Sequence, residues 1–191
     1  MAELPRDFVA QQIRESVSVQ QSMLADSGLI AEIEAVAKLI VKTYRDGGKV
    51  LIAGNGGSAA DSQHIAAELV SRFAMERPAL PAMALTTDTS IMTAIGNDYG
   101  YDSLFSRQLE ASARPGDVFR AISTSGNSPN ILRALERARE LGVISVGMTG
   151  ATGGGMVALC RHCLKIPATA TPRIQEGHAT IGHILCASTE R

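Results

Sequence analysis

The stretch Val50-Leu51-Ile52-Ala53-Gly54-Asn55-Gly56-Gly57-Ser58-Ala59 decides the fold. Four β-prone apolar residues run without alternation into a glycine-rich turn, and a helical pattern opens at Ser58. A strand with no polar face is buried on both sides, as in a parallel sheet covered by helices. Similar runs follow at residues 82–85, 118–122, 144–148 and 164–166. Between them the spacing predicts helices near 58–73, 103–113 and 129–141, with one more from Ile174 onward. Strands alternating with helices predict an α/β fold: three α/β/α layers around a five-stranded, mainly parallel sheet.

Upstream of that stretch, Ile30, Ile33, Val36, Ala37, Ile40 and Tyr44 recur at three- and four-residue spacing as far as Asp46-Gly47-Gly48. The first 46 residues therefore read as a helical extension of two helices, and residues 47–191 as the α/β core of one single domain. The chain has 191 residues, with 18 Lys+Arg against 19 Asp+Glu for a net charge of −1. This balance offers no basic face for a phosphate backbone, so no nucleic-acid partner is expected. Aromatics make up 4% with no Trp, which argues against stacking platforms. No apolar run is long enough for a membrane span, the first residues do not resemble a signal peptide, and three Cys do not make a disulfide framework. The expected setting is cytoplasmic, with no membrane partner.

Ligands of such sheets bind beyond the carboxyl ends of the strands, and the glycines gather there. Gly54, Gly56, Gly57, Gly126, Gly150, Gly153, Gly154 and Gly155, eight of 18, follow predicted strands. Crowded glycines of this kind let backbone approach something closely.

Four constellations could carry chemistry. Gly54-Asn55-Gly56-Gly57-Ser58-Ala59 satisfies the dinucleotide fingerprint G-x-G-x-x-[GA], but Asp88 comes late for the ribose acid and no Tyr/Lys hydride pair is evident. The same residues also read as an ordinary turn, with a capping box from Ser58 to Asp61, or as a loop for some other small ligand. Ser123-Thr124-Ser125-Gly126-Asn127-Ser128-Pro129 offers four hydroxyls and backbone N–H groups at a helix start, suited to one phosphate monoester. It lacks the lysine of a triphosphate loop. His64, Glu68 and Arg72, each four apart, form a polar stripe beside Ile65, Leu69 and Phe73, a solvated face on most helices. Gln175 and His183, eight apart, share one face of the last helix, whereas His178 points elsewhere and is structural or exposed. Cys160-Arg161-His162-Cys163 has no second pair for a zinc ribbon, so buried thiols are the plainer reading over a metal or redox role.

Together these pieces resemble the sugar isomerase (SIS) family, and within it the phosphoheptose isomerases. The resemblance rests on residues 53–58, His64 to Glu68 with Arg72, Arg77-Pro78, Gly96-Asn97-Asp98, residues 123–128 and Arg173-Ile174-Gln175-Glu176, and it spans roughly 45–187. It implies that Asn55, Gly56, Gly57, Ser58, His64, Glu68, Arg72, Asn97, Asp98, Ser123, Thr124, Ser125, Ser128 and Gln175 line a sugar-phosphate site. It implies Glu68 and His183 as an acid–base pair, and one zinc per subunit held by His64, Glu68, Gln175 and His183. It further implies a homotetramer with sites at subunit interfaces, the helical extension serving oligomerisation. The implied reaction takes a phosphorylated seven-carbon sugar, converting sedoheptulose 7-phosphate to D-glycero-D-manno-heptose 7-phosphate through an enediol. That is the first step toward ADP-heptose and the lipopolysaccharide core.

The residue types suit this chemistry. Moving a carbonyl between C1 and C2 needs a group to shuttle a carbon-bound proton and a second acid, or a metal, at the enediolate oxygen. Whether Glu68 and His183 act directly or as zinc ligands stays open. Non-catalytic relatives of the same fold bind the replication initiator; they lack the acid and histidine matching Glu68 and His183 and tend to carry Thr in place of a loop glycine. An isomerase of another phosphosugar is a further reading, although arabinose 5-phosphate isomerases usually add regulatory modules. Two departures stand out: Ala121 replaces a common Gly, and residues 169–172 supply no Asp before Gln175.

Overall fold

Five strands, β1 (Val50–Gly54), β2 (Ala82–Ala84), β3 (Val118–Ile122), β4 (Ile144–Thr149) and β5 (His162–Lys165), form one sheet in the order β2-β1-β3-β4-β5. The computed structural model describes residues 6–191; the first five residues of the helical extension lie outside them. Every pairing is parallel, with Val50 opposite Val118 and Ala82, and Val118 opposite Ile144. The sheet is thus wholly rather than mainly parallel. β1 and β3 are buried at every position, as the absence of alternation requires.

The helices are α1 (Phe8–Ala25), α2 (Ser27–Arg45), α3 (Gly57–Val70), α4 (Thr89–Tyr99), α5 (Leu104–Ser112), α6 (Pro129–Glu140), α7 (Met156–Leu159) and α8 (Thr171–Thr189). One face of the sheet packs Ile33, Val36 and Ile40 of α2, Ile65 and Leu69 of α3, and Ile174, Ile181 and Leu185 of α8 against Ile52, Ile122 and Met148. The other packs Leu104, Phe105 and Leu109 of α5, Ile131 and Leu135 of α6, and Met156 of α7 against Leu51, Phe119 and Ala121. Each fully buried aliphatic side chain contributes about 1.5–3 kcal/mol before the entropy of ordering is counted. α2 is therefore part of the layer over the sheet, whereas α1 buries only Met23 and leaves Val9, Ile13 and Val17 exposed.

Three local expectations change. α3 is capped by Gly56, and Ser58 lies inside the helix, so no Ser58–Asp61 capping box forms. α3 ends at Val70, which leaves Arg72 off the helical stripe. α4 and the single turn α7 were not anticipated: α4 fully buries no residue and turns only Met92 and Ile95 toward the core, a weak stripe. No helix of the described residues is long and apolar enough to cross a membrane.

Strand order reverses between β1 and β3. The chain leaves β1 for α3 on one face and leaves β3 for α6 on the other, so the loops after these strands diverge side by side. In open α/β sheets that crevice is where ligands bind.

Candidate functional site

The loop after β1 and the start of α6 are tied together by Asn55 and Asn130. Each side-chain amide donates to the other's carbonyl oxygen at 2.9 Å, and Tyr101 Oη donates to Asn55 Oδ1 at 3.1 Å. Asn130 is buried, and this pairing fixes the orientation of Asn55 at the rim. Neither Asn130 nor Tyr101 was singled out in the sequence. Asn130 follows the proline that opens α6, the one local signal that could have marked it.

In the next loop Ser123 Oγ lies 2.8 Å from Ser128 Oγ and 3.4 Å from Ser125 Oγ. Ser125 Oγ also accepts from Asn127 N–H, and Asn127 Oδ1 accepts from Gly155 N–H at 2.8 Å. Gly126 has φ of 68° and sits against Gly153, which a side chain at 126 would collide with. Thr124 is held through its backbone carbonyl, which accepts from Gly150 N–H. The result is a cluster of three hydroxyls at the N-terminus of a twelve-residue helix that begins with Pro129, a ready cradle for an anion.

α3 and α8 run side by side in the same direction. At their starts the Gln175 side chain lies against Gly57, where an added Cβ would stand 2.5 Å from Nε2. Two turns on, His183 Nε2 lies 3.4 Å from His64 Nε2, with the rings edge to face at 5.0 Å. His64 Nε2 is 3.3 Å from Glu68 Oε1, one turn further along α3, and Phe73 packs on His183 at 5.5 Å. The structure thus brings His64, Glu68 and His183 together, with Gln175 on the same side of α8. A cavity of about 300 Å³ opens between the helices, lined by Gly57, Ser58, Asp61, His64, Gln175 and His178. Beneath it Arg120, 2% exposed, reaches Asp61 at 3.5 Å, and burial lowers its pKa.

Other predicted residues stand apart. Arg72 is exposed and pairs with Glu76 at 3.9 Å. Asn97 and Asp98 are exposed at the end of α4, where Asn97 Nδ2 donates to Asp98 Oδ1 at 2.7 Å. His178 is structural rather than exposed: it is buried with Nε2 3.3 Å from the Thr149 carbonyl, and burial pulls its pKa down to about 4, outweighing that contact.

Two imidazole Nε2 atoms facing each other need a proton or a cation between them. Ligands about 2.0–2.1 Å from a tetrahedral zinc are about 3.3–3.4 Å apart, and the His64–His183 and His64–Glu68 separations have that length. Among the described residues, however, no group of three or more His, Cys, Asp or Glu side chains is arranged to hold a metal ion. Two imidazoles and a carboxylate are nonetheless donor types that zinc takes.

A parallel sheet with an anion cradle at its switch point and an acid–imidazole group on the adjoining helices defines a ligand-binding α/β protein. Residues 13–150 match the SIS domain family. The chain is 59% identical over 96% of its length to a phosphoheptose isomerase of Aneurinibacillus thermoaerophilus, covering 93% of that protein. The chain belongs to the SIS domain family and, within it, to the phosphoheptose isomerases, which are enzymes. Its fold is similar to a structure of a phosphoheptose isomerase from Neisseria gonorrhoeae, with a TM-score of 0.91, 40% identity and coverage of 97% and 98% of the two chains. It is equally similar to one from Francisella tularensis, with a TM-score of 0.91, 36% identity and 96% of each chain covered.

Proposed function

We propose that the chain interconverts sedoheptulose 7-phosphate and D-glycero-D-manno-heptose 7-phosphate, with the hydroxyl cradle of Ser123, Ser125 and Ser128 taking the phosphate. The observation that carries this reading is the meeting of His183 with His64 beside Glu68, across 119 residues of sequence. The Glu68 carboxylate takes the proton from C1 and returns it to C2. His183 gives a proton to O2 as the enediol forms and takes one from O1 as it collapses to the aldose. Each such transfer contributes about 10²–10⁴-fold. The amides of Asn55 and Gln175 orient the sugar hydroxyls from the two helix starts. His64, Glu68, His183 and Gln175 would hold zinc, which when bound polarises the oxygens on C1 and C2. The retention of Glu68 and His183 favours the enzyme over a non-catalytic protein that binds the replication initiator.

The exposed apolar residues Val9, Ile13 and Val17 on α1 support a homotetramer whose subunits meet through the helical extension and complete one another's sites. Asn97, Asp98 and Arg72 then face a site only in the assembly. We place the enzyme in the cytoplasm at the entry to ADP-heptose and lipopolysaccharide core synthesis. The test is an isomerase assay on sedoheptulose 7-phosphate with zinc supplied. Formation of the aldose phosphate is the expected result; no turnover in folded, zinc-supplied protein would overturn the reading in favour of initiator binding.

A further inference from the structure

Cys160-Arg161-His162-Cys163 plays no part in the site above. β5 is an edge strand, and Leu164 lies in the core shared with α2 and α8. By the alternation of a strand, Cys163 projects to the opposite face, that of α6 and α7. Cys160, the residue that ends α7, packs on that same face. Its sulfur fills the room left by Gly147, where an added Cβ would lie 2.6 Å from Cys160 Sγ. Gly147 is in turn the cross-strand partner of Cys163, on strands about 4.8 Å apart. The two thiols are therefore neighbours, placed for Cys160 S–H to share a hydrogen bond with the Cys163 sulfur.

That hydrogen bond, helped by Lys165 on the same side of β5, lowers the Cys163 pKa against the effects of burial and Glu32. Cys160 moves the other way, raised by the same hydrogen bond and by burial. Both cysteines are half-buried rather than sealed in the core, so a small molecule can reach the pair at this edge of the sheet. Cys163 is thus the thiol inclined to ionise, and the adjacent Cys160 is its protonated partner. The third cysteine, Cys186, is buried on α8 with its thiol pushed up to about 11 by burial, and it serves as an internal reference.

We propose that Cys163 and Cys160 form a thiol–disulfide exchange site, with Cys163 the attacking thiolate, Cys160 the resolving thiol and a low-molecular-weight disulfide the oxidant. The Cys163 sulfur bonds to one sulfur of the small disulfide, whose S–S bond breaks and releases the first small thiolate. Cys160 gives up its proton, attacks the Cys163 sulfur and displaces the second. The protein loses two electrons and two protons, and the small disulfide becomes two small thiols that carry those protons. Such an exchange suits a reducing compartment, where protein disulfides are transient and responsive rather than structural.

The test uses the whole chain, reduced and then exposed to oxidised glutathione, with alkylation and peptide mass mapping as the readout. Cys163 should alkylate at least about tenfold faster than Cys186, and oxidation should join Cys160 to Cys163 with the loss of two hydrogens. Cys160→Ser should stop at a mixed disulfide on Cys163, and Cys163→Ser should leave Cys160 unreacted. If either variant fails to fold, the mapping on the unmodified sequence decides alone. Faster reaction at Cys160 than at Cys163, a disulfide to Cys186, or no internal disulfide under excess oxidised glutathione overturns the proposal.

Discussion

His64 Nε2 and His183 Nε2 face each other at 3.4 Å where α8 packs closely on α3 beside them. The neighbour of His183, Gly182, makes that approach possible: an added Cβ would stand 2.7 Å from Ile65 Cδ1 and 3.1 Å from the buried Arg120 guanidinium. Ile65 is itself next to His64 and fully buried. A packing choice in the core therefore sets the spacing of two partly exposed functional side chains, and the two nitrogens so placed call for a proton or a metal between them.

Replacing Glu68 by Gln removes the carboxylate that can hold the carbon-bound proton, and replacing His183 by Gln removes the partner imidazole. Each change should lower kcat by about 10²–10⁴-fold with the circular dichroism spectrum unchanged. The contact of His64 with Glu68, with side chains 45% and 26% exposed, adds little to stability, so loss of activity through unfolding is not expected. Near-normal kcat in either variant would remove that residue from the chemistry.

Zinc binding is separable from turnover. Calorimetric titration of metal-free protein should give a single zinc site per chain, and His64→Ala should weaken it by at least about a hundredfold, since even outer-shell partners of zinc ligands are worth about 10–100-fold. His178→Gln should leave the affinity unchanged, because the buried His178 is held with Nε2 3.3 Å from the Thr149 carbonyl. Full isomerase activity in protein shown to be free of metal would leave Glu68 and His183 acting directly.

The Ser123–Ser128 contact of 2.8 Å makes Ser128 the hydroxyl whose loss most disturbs the anion cradle. Hydrogen bonds to a charged group are worth about 1.5–3 kcal/mol, so Ser128→Ala should reduce kcat/KM by about 10–100-fold, chiefly through KM. A fall in kcat at constant KM would move the phosphate elsewhere.

Ile13, 60% exposed on a helix that buries only Met23, should be covered in the assembled enzyme. Ile13→Asp places a charge where subunits are proposed to meet, which costs more than the contact it removes. Light scattering should report a tetramer for the unmodified chain and a smaller species for the variant; equal masses for the two would move the interface away from α1.

Legibility tracked burial. β1, β3 and β4 were readable because each is a mostly apolar run buried on both faces, with Arg120 the charged exception, and the anion cradle because hydroxyls and a proline cluster within seven residues. α4 was unreadable because it fully buries no residue and presents only Met92 and Ile95 to the core, too short a stripe to read. The pairing of Asn55 with Asn130, and that of Asp61 with Arg120, joins residues far apart in the chain that carry no local signal. His183 was assigned through family resemblance, since eight-residue spacing from Gln175 gives a shared helix face but says nothing of His64 on another helix.

The final prediction concerns a contact of this long-range kind. Glu190, at the end of α8 with 2% of its side chain exposed, accepts from the backbone N–H groups of Phe73, Ala74 and Met75 at 2.7–2.9 Å and pairs with Arg77 at 3.1 Å. Arg77 in turn donates to the carbonyls of Glu68 and Leu69 at the end of α3. Burial alone would raise the Glu190 pKa, but the three N–H donors and the guanidinium outweigh it and bring the value from 4.5 down to about 2. A carboxylate lowered on folding stabilises the native state fully above its unfolded pKa, and that contribution is lost as pH falls toward the folded value. Stability should therefore drop between about pH 4.5 and pH 2, and Glu190→Gln should flatten that part of the curve while lowering Tm by several degrees at neutral pH. Because Phe73 lies in the clamped segment and packs on His183, the same variant should also raise KM or lower kcat. Thermal unfolding followed across the acid range in both proteins is the measurement, and identical slopes would show that Glu190 does not anchor this segment.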